Sequence, residues 1–232
     1  RYRQTVLGAA WAILQPVGTM VVFTIFFGHL AHLSSEGSSY ALFSLSGLVP
    51  WTYFSTGVTL GSESLVTNAP LVSKVYFPRI FIPAGVVAAG LVDFTIAFVI
   101  LLVVVAAWGS GLSLAILAVP LLVAITVAAA LGVSTGLSAI NVRYRDVRYV
   151  VPFAIQLWLF ATPIAYPASL LSHGWRIVAA INPMTGVVEG FRWAVLGKPS
   201  APWALIGMLL SAVLNMDEAY KAINWKTIFV TA

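Results

Sequence analysis

"NVRYRDVRYVVP", residues 141–152, places three arginines and an aspartate between two long apolar runs. Those three arginines are a quarter of the twelve basic residues in the chain. The whole chain of 232 residues is 60% hydrophobic and only 8% charged, and the mean hydropathy is +0.98. A water-soluble surface needs roughly a quarter or more of its positions charged. Most of this chain's outer surface is therefore expected to face lipid. In that setting a knot of arginines reads as a turn between two membrane-spanning segments.

Apolar runs extend on both sides of the knot. A helix needs about 20 residues to cross a bilayer core about 30 Å thick. The spans expected are Leu7–Leu30, Tyr40–Gly61, Ile80–Trp108, Leu112–Ile140 and Val150–Tyr166, with a short last run at Trp203–Leu214. The fold class that follows is an all-α integral membrane protein of about six transmembrane helices. "HGWRIVAAINPMTGVVEGFRWAVLG", residues 173–197, holds two apolar stretches around "NP". Each is too short to cross. They read as short external helices between spans five and six, lying in the interface or re-entering the membrane. Pro183 suits the first position of the second helix, and Glu189 with Arg192, three apart, are placed to pair on its wet face.

Orientation follows the basic residues. With the N-terminus inside, Arg1, Arg3, Lys74, Arg79, Arg143, Arg145, Arg148, Lys221 and Lys226 are cytoplasmic, against Arg176, Arg192 and Lys198 outside, nine to three. Both termini are then cytoplasmic. Arg143, Arg145 and Arg148 either only fix this topology or also contact a partner protein or lipid phosphate, with Asp146 holding one of them by a local ion pair. Trp11, Trp108, Trp175 and Trp203 fall near the expected interfaces. "RYR" before an apolar run mimics a secretion signal, but the run is too long and has no small-residue cleavage site. The chain opens on a basic residue without methionine, and a preceding cytoplasmic piece is expected.

The sequence offers little chemistry of its own. There is no cysteine, hence no disulfide framework or thiolate metal site. No phosphate-binding loop occurs, since "GKPS" at Gly197 lacks the upstream glycine and strand. His29, His32 and Glu36 have near-ligand spacing, yet they read as the polar end of the first span, and no metal site is expected. Basic residues at span ends are a membrane pattern, not a nucleic-acid one. Asp93, in "AGLVDFTIAF", is the carboxylate well inside a span, where a charge is costly unless paired or hydrated. It either serves transport or locks helices together. Trp51, Tyr53 and Trp158 also fall deep. They are packing rings or line a translocation path where sugars stack. Gly57 with Gly61, Gly132 with Gly136, and Gly186 with Gly190 have the spacing that lets helices approach closely. Pro50, Pro152, Pro163 and Pro167 break or end helices.

Four blocks in order carry a resemblance. "RYRQTVLGAAWAILQP" (1–16), "NAPLVSKVYFPRIFIP" (68–83), "NVRYRDVRYVVPFAIQLWLFATPIAYP" (141–167) and "INPMTGVVEGFRWAVLG" (181–197) resemble the ABC-2 type permeases that export polysaccharides such as O-antigen, capsule and teichoic acid. The resemblance implies a transmembrane domain over 1–214 that works as a pair of identical subunits in a bacterial or archaeal cytoplasmic membrane. It implies a separate cytoplasmic ATPase that binds ATP and Mg, leaving this chain without cofactor or catalysis of its own. Asn68, Pro70, Lys74, Pro78 and Arg79 would lie in the segment that couples to that ATPase. Arg1, Arg3, Arg143, Arg145 and Arg148 would meet lipid headgroups or the partner, and Asn182, Pro183, Glu189 and Arg192 would belong to external gate helices. The cargo implied is a lipid-linked glycan. Residues 215–232, "NMDEAYKAINWKTIFVTA", depart from the family pattern and put the sixth span in doubt. Two alternatives remain: an ABC-2 exporter of a drug or small lipid, and an ion-coupled carrier that depends on Asp93.

Overall fold

The computed structural model describes residues 10–33, 35, 37–74, 78–108, 113–144, 146–197 and 204–205. Among these residues every regular element is a helix. Helix α1 (Ala10–Phe23) continues into a π-helical stretch, Thr24–Leu30. Then come α2 (Tyr40–Thr67), the short α3 (Ala69–Lys74) and α4 (Phe81–Ala107). A 3-10 turn, Leu114–Ala118, leads into α5 (Val119–Arg143). After the arginine knot come α6 (Val147–Ala161), α7 (His173–Ile181) and α8 (Pro183–Leu196).

The apolar runs form helices where the sequence places them. Phe81–Ala107 and Leu114–Arg143 are long and apolar enough to cross a membrane, and Leu14–Leu30 and Val147–Ala161 are shorter apolar helices. The outward faces of α4 and α5 are oily. Val92, Val99, Val103 and Leu121 are all more than half exposed. The second span is longer than expected, continuing past Gly61 to Thr67. The fifth is shorter, ending at Ala161 instead of Tyr166. Pro163 explains the early stop, because a residue before proline is driven out of the helical region. Thr162 is accordingly extended, with ψ 134°. At about 1.5 Å per residue α6 spans only about 22 Å, well short of a bilayer core. The sixth span expected at Trp203–Leu214 lies outside the described residues except for Ala204 and Leu205, which are helical.

Helix α2 is the centre of the bundle, touching α1, α4, α5, α6 and α8. It is less apolar than its neighbours because it carries serines. Their hydroxyls bond back to the chain: Ser44 to the Ala41 carbonyl, Ser46 to Phe43, Ser62 to Thr59 and Ser64 to Gly61, at 2.6–3.1 Å. A buried hydroxyl satisfied in this way needs no water. Glycine brings the neighbouring helices close. A Cβ on Gly61 would stand 2.6 Å from the Ser134 Cβ of α5, and one on Gly190 would stand 2.7 Å from Leu122 Cδ2. Gly136, by contrast, faces open space. Pro50 and Pro152 lie inside α2 and α6.

Candidate functional site

The first cluster sits where α6 stops and α8 begins. Asn182 caps α8: its side-chain oxygen accepts from the Met184 N–H at 3.0 Å, and Pro183 takes the first helical position. The Asn182 amide donates to Thr162 Oγ1 at 2.8 Å, and Thr162 Oγ1 donates to the Trp158 carbonyl at 2.9 Å. The start of α8 is thereby tied to the end of α6. Helix α8 then runs into the protein. Met184, Val187, Val188, Phe191, Ala194 and Val195 are fully buried.

Glu189 and Arg192 form the expected pair, at 2.7 Å, but not on a wet face. They are 5% and 3% exposed, because α8 packs against α2, α4 and α5 instead of lying flat. Protein groups take the place of water around Arg192. Its Nη1 donates to Glu189 Oε1 and to the Pro163 carbonyl at 2.7 Å, and its Nη2 to the Ile164 carbonyl at 2.8 Å. The guanidinium carbon lies 3.6 Å from the centroid of the Phe43 ring on α2, a cation–π contact in a desolvated setting. Gly47, one turn further along α2, makes room, since a Cβ there would stand 3.3 Å from Arg192 Nη2. The next carbonyl, Ala165, accepts from Tyr40 Oη at 2.6 Å. Three successive carbonyls of a buried turn thus each receive a side-chain donor, as a turn without water requires. Tyr166 follows, donating to the Phe160 carbonyl at 3.1 Å, and burial pushes its phenol above the ordinary value.

Helix α7 behaves differently. Trp175, Ile177, Val178 and Ile181 are all more than half exposed. Arg176 folds back to donate to the Leu171 carbonyl at 2.9 Å. Of the two short helices expected around Asn182, one lies on the surface and the other is buried.

The second cluster lies at the opposite end of α2. Asn68 ends that helix, its amide and its backbone N–H both donating to the Ser64 carbonyl, at 2.8 and 3.1 Å. Helix α3 follows, with Pro70, Leu71 and Lys74 exposed; Pro78 is exposed and Arg79 half-buried. The arginine knot is close by. Asn141, 2% exposed on α5, donates to the Ser62 carbonyl of α2 at 3.0 Å. Arg143, Tyr144, Asp146, Arg148 and Tyr149 beyond it are exposed, with Arg143 5.4 Å from the Tyr144 ring centroid and Arg148 5.8 Å from that of Tyr149. Lys74, Arg79, Arg143 and Arg148 therefore share one end of the bundle. That end stands about 33 Å along α2 from Tyr40. Arg1, Arg3 and Arg145 lie outside the described residues, as does Glu36; His29 and His32 are exposed.

The deep aromatic rings are packing rings in this structure. Tyr53 packs edge-on against Phe94 at 5.6 Å and donates to the Val87 carbonyl at 3.1 Å. Trp51 packs on Phe54, and Phe54 meets Trp158 edge-on at 5.2 Å. Trp51 and Tyr53 are 3% and 5% exposed. Both rings are covered by neighbouring side chains. Trp158 and Asp93 are half-buried. Sequence reasoning passed over Tyr40, Phe43, Gly47 and Asn141. Only Asn141 carried a signal, an amide just inside an apolar helix.

The chain matches the family model described as ABC-2 type transporter over residues 1–196. Among curated proteins it is similar to the O-antigen export system permease protein RfbA of Myxococcus xanthus, 31% identical over 92% of this chain and 82% of that one. It is 26% identical to a Klebsiella pneumoniae protein of the same name, over 83% of this chain and 74% of that one. It is 24% identical to the polysialic acid transport protein KpsM of Escherichia coli, over 84% and 76%.

Proposed function

The chain belongs to the ABC-2 type transporter family, and we propose that it is the permease subunit of an ATP-driven polysaccharide exporter in the cytoplasmic membrane. The observation that carries this reading is the likeness to O-antigen and polysialic acid export proteins over most of their length. A lipid-linked polymer is the cargo proposed. ATP and Mg belong to a separate ATPase subunit. Two copies of this chain pair to make the pathway, with Asp93 and Trp158 the residues nearest to it.

The basic end of the bundle is the cytoplasmic end in this account. Lys74, Arg79, Arg143 and Arg148 gather there, which fits positive-inside topology. Asn68, Pro70, Lys74, Pro78 and Arg79 form the segment that docks on the ATPase. Arg143 and Arg148, with Arg1, Arg3 and Arg145, meet lipid phosphates or the ATPase surface. The end that holds Asn182, Pro183, Glu189 and Arg192 is the external gate. Depleting the protein from its native cell tests the function. Loss of surface polysaccharide with the lipid-linked polymer accumulating inside is expected. Undiminished surface polysaccharide would contradict it.

A further inference from the structure

The residues assigned to the external gate do not all have the same freedom. Helix α8 is buried along most of its length, with Trp193 exposed. Phe191 meets Phe94 and Phe98 of α4 edge-on at 6.1 and 6.3 Å, and Gly190 sits against Leu122 of α5. Three groups converge on Gly47 of α2: Val188 of α8, Ile164 of the turn and the Arg192 guanidinium, at 3.2–3.4 Å from where its Cβ would be. Arg192 joins all three parts, α8 through Glu189, the turn through two carbonyls, and α2 through Phe43. Tyr40 adds a second bond from α2 to the turn. Separating α8 and the turn from α2 would take the buried guanidinium off the Phe43 ring and break the Tyr40 bond to the Ala165 carbonyl, exposing a charge that is costly to leave without partners. Among the described residues helix α7 shows no such ties. Its contacts are chiefly with α8, its apolar side chains are exposed, and it joins α8 through a single extended residue, Asn182.

We propose that Arg192 is a positioning residue that bolts α8 and the 162–166 turn to α2, so that α8 moves with α2 as one body and the movable part of the gate is α7. The proposal rests on the reading of this end as an exporter's gate. It gives α2 a mechanical role. The same helix runs on through Pro50 to Asn68 beside the proposed coupling segment, so displacement at that end is carried to α8 along one continuous helix.

The chain has no cysteine, which permits a direct test. A Gly47→Cys/Val188→Cys pair is placed for a disulfide, since a Cβ at Gly47 would lie 3.2 Å from Val188 Cγ1, the position a sulfur at 188 would take, and a disulfide needs side chains this close. Full-length protein in native membranes, with its partners, is oxidised and export of the polymer compared with the reduced state. The pair is expected to cross-link and export to stay within about twofold. Failure to cross-link, or export that collapses on oxidation and returns with reductant, would overturn the proposal.

Arg192→Lys provides the second arm. Lysine keeps the charge but lacks the planar fork that reaches Glu189 and two carbonyls together. Export is expected to fall by about tenfold while ATP hydrolysis continues, and the 47–188 disulfide in the same chain is expected to restore it. A formed disulfide that restores nothing would show that Arg192 acts otherwise than as a bolt. Cross-linking is read without reference to cargo. A polymer-export failure in unaltered protein would therefore count against the proposed function, not against the bolt.

Discussion

The central carbon of the Arg192 guanidinium lies 3.6 Å from the Phe43 ring centroid, while its nitrogens donate to Glu189 and the carbonyls of Pro163 and Ile164. One side chain thus joins α8, the 162–166 turn and the central helix. Removing its counter-charge has a calculable consequence. Glu189→Gln is expected to destabilise the protein by about 3–5 kcal/mol, because a buried ion stripped of its partner retains its desolvation cost. Glu189→Gln with Arg192→Met is expected to cost less than the sum of the two single changes. Thermal unfolding of the detergent-solubilised variants measures both, and simple additivity would show that the pair is not coupled.

The contact between Gly61 and Ser134 gives a second expectation. With 2.6 Å between the two Cβ positions, Gly61→Ala must push α2 and α5 apart. Overpacking of this kind costs about 1–3 kcal/mol. Ser134→Gly is expected to recover most of that loss when added to Gly61→Ala. Unfolding midpoints of the single and double variants decide it. A Gly61→Ala protein as stable as the original would mean the helices have slack at this point.

Asn141 pins α5 to α2 beside the arginine knot through its bond to the Ser62 carbonyl. Asn141→Leu is expected to lose about 1 kcal/mol, and Asn141→Asp more, because a carboxylate would face that carbonyl without a proton to donate. The same unfolding assay reads the order. An aspartate variant more stable than the leucine one would contradict it.

The arginine knot carries the fourth expectation. Replacing Arg143, Arg145 and Arg148 with glutamine is expected to impair export while a multi-pass protein still accumulates in the membrane. Surface polysaccharide staining beside membrane immunoblotting separates the two. Normal export would reduce the knot to a topology signal.

Much of this fold was legible before any coordinates. The long helix α4, expected at Ile80–Trp108 and found at Phe81–Ala107, is an uninterrupted apolar run whose length alone identifies it. The end of α6 was misjudged because hydropathy continues through Ile164 and Tyr166, whereas Pro163 stops the helix on steric grounds. Helix α8 was the least legible element. A short segment holding glutamate and arginine reads as surface, and nothing local reveals that Phe43 and two carbonyls, far away in sequence, surround the charges. For the deep rings Trp51 and Tyr53, depth is visible in the sequence, but whether a ring face is open or covered depends on neighbours such as Phe54 and Phe94. The central place of α2 was hidden by its serines, which lower its hydropathy yet bond to their own helix.

The most direct test of the whole account is the composition of the complex. The protein is purified from its native membrane in mild detergent, and ATP hydrolysis is assayed in the eluate. The account predicts a stoichiometric ATPase subunit that is retained by the unaltered chain and lost when Lys74 and Arg79 are both replaced by glutamate. A clean eluate without ATPase would contradict it.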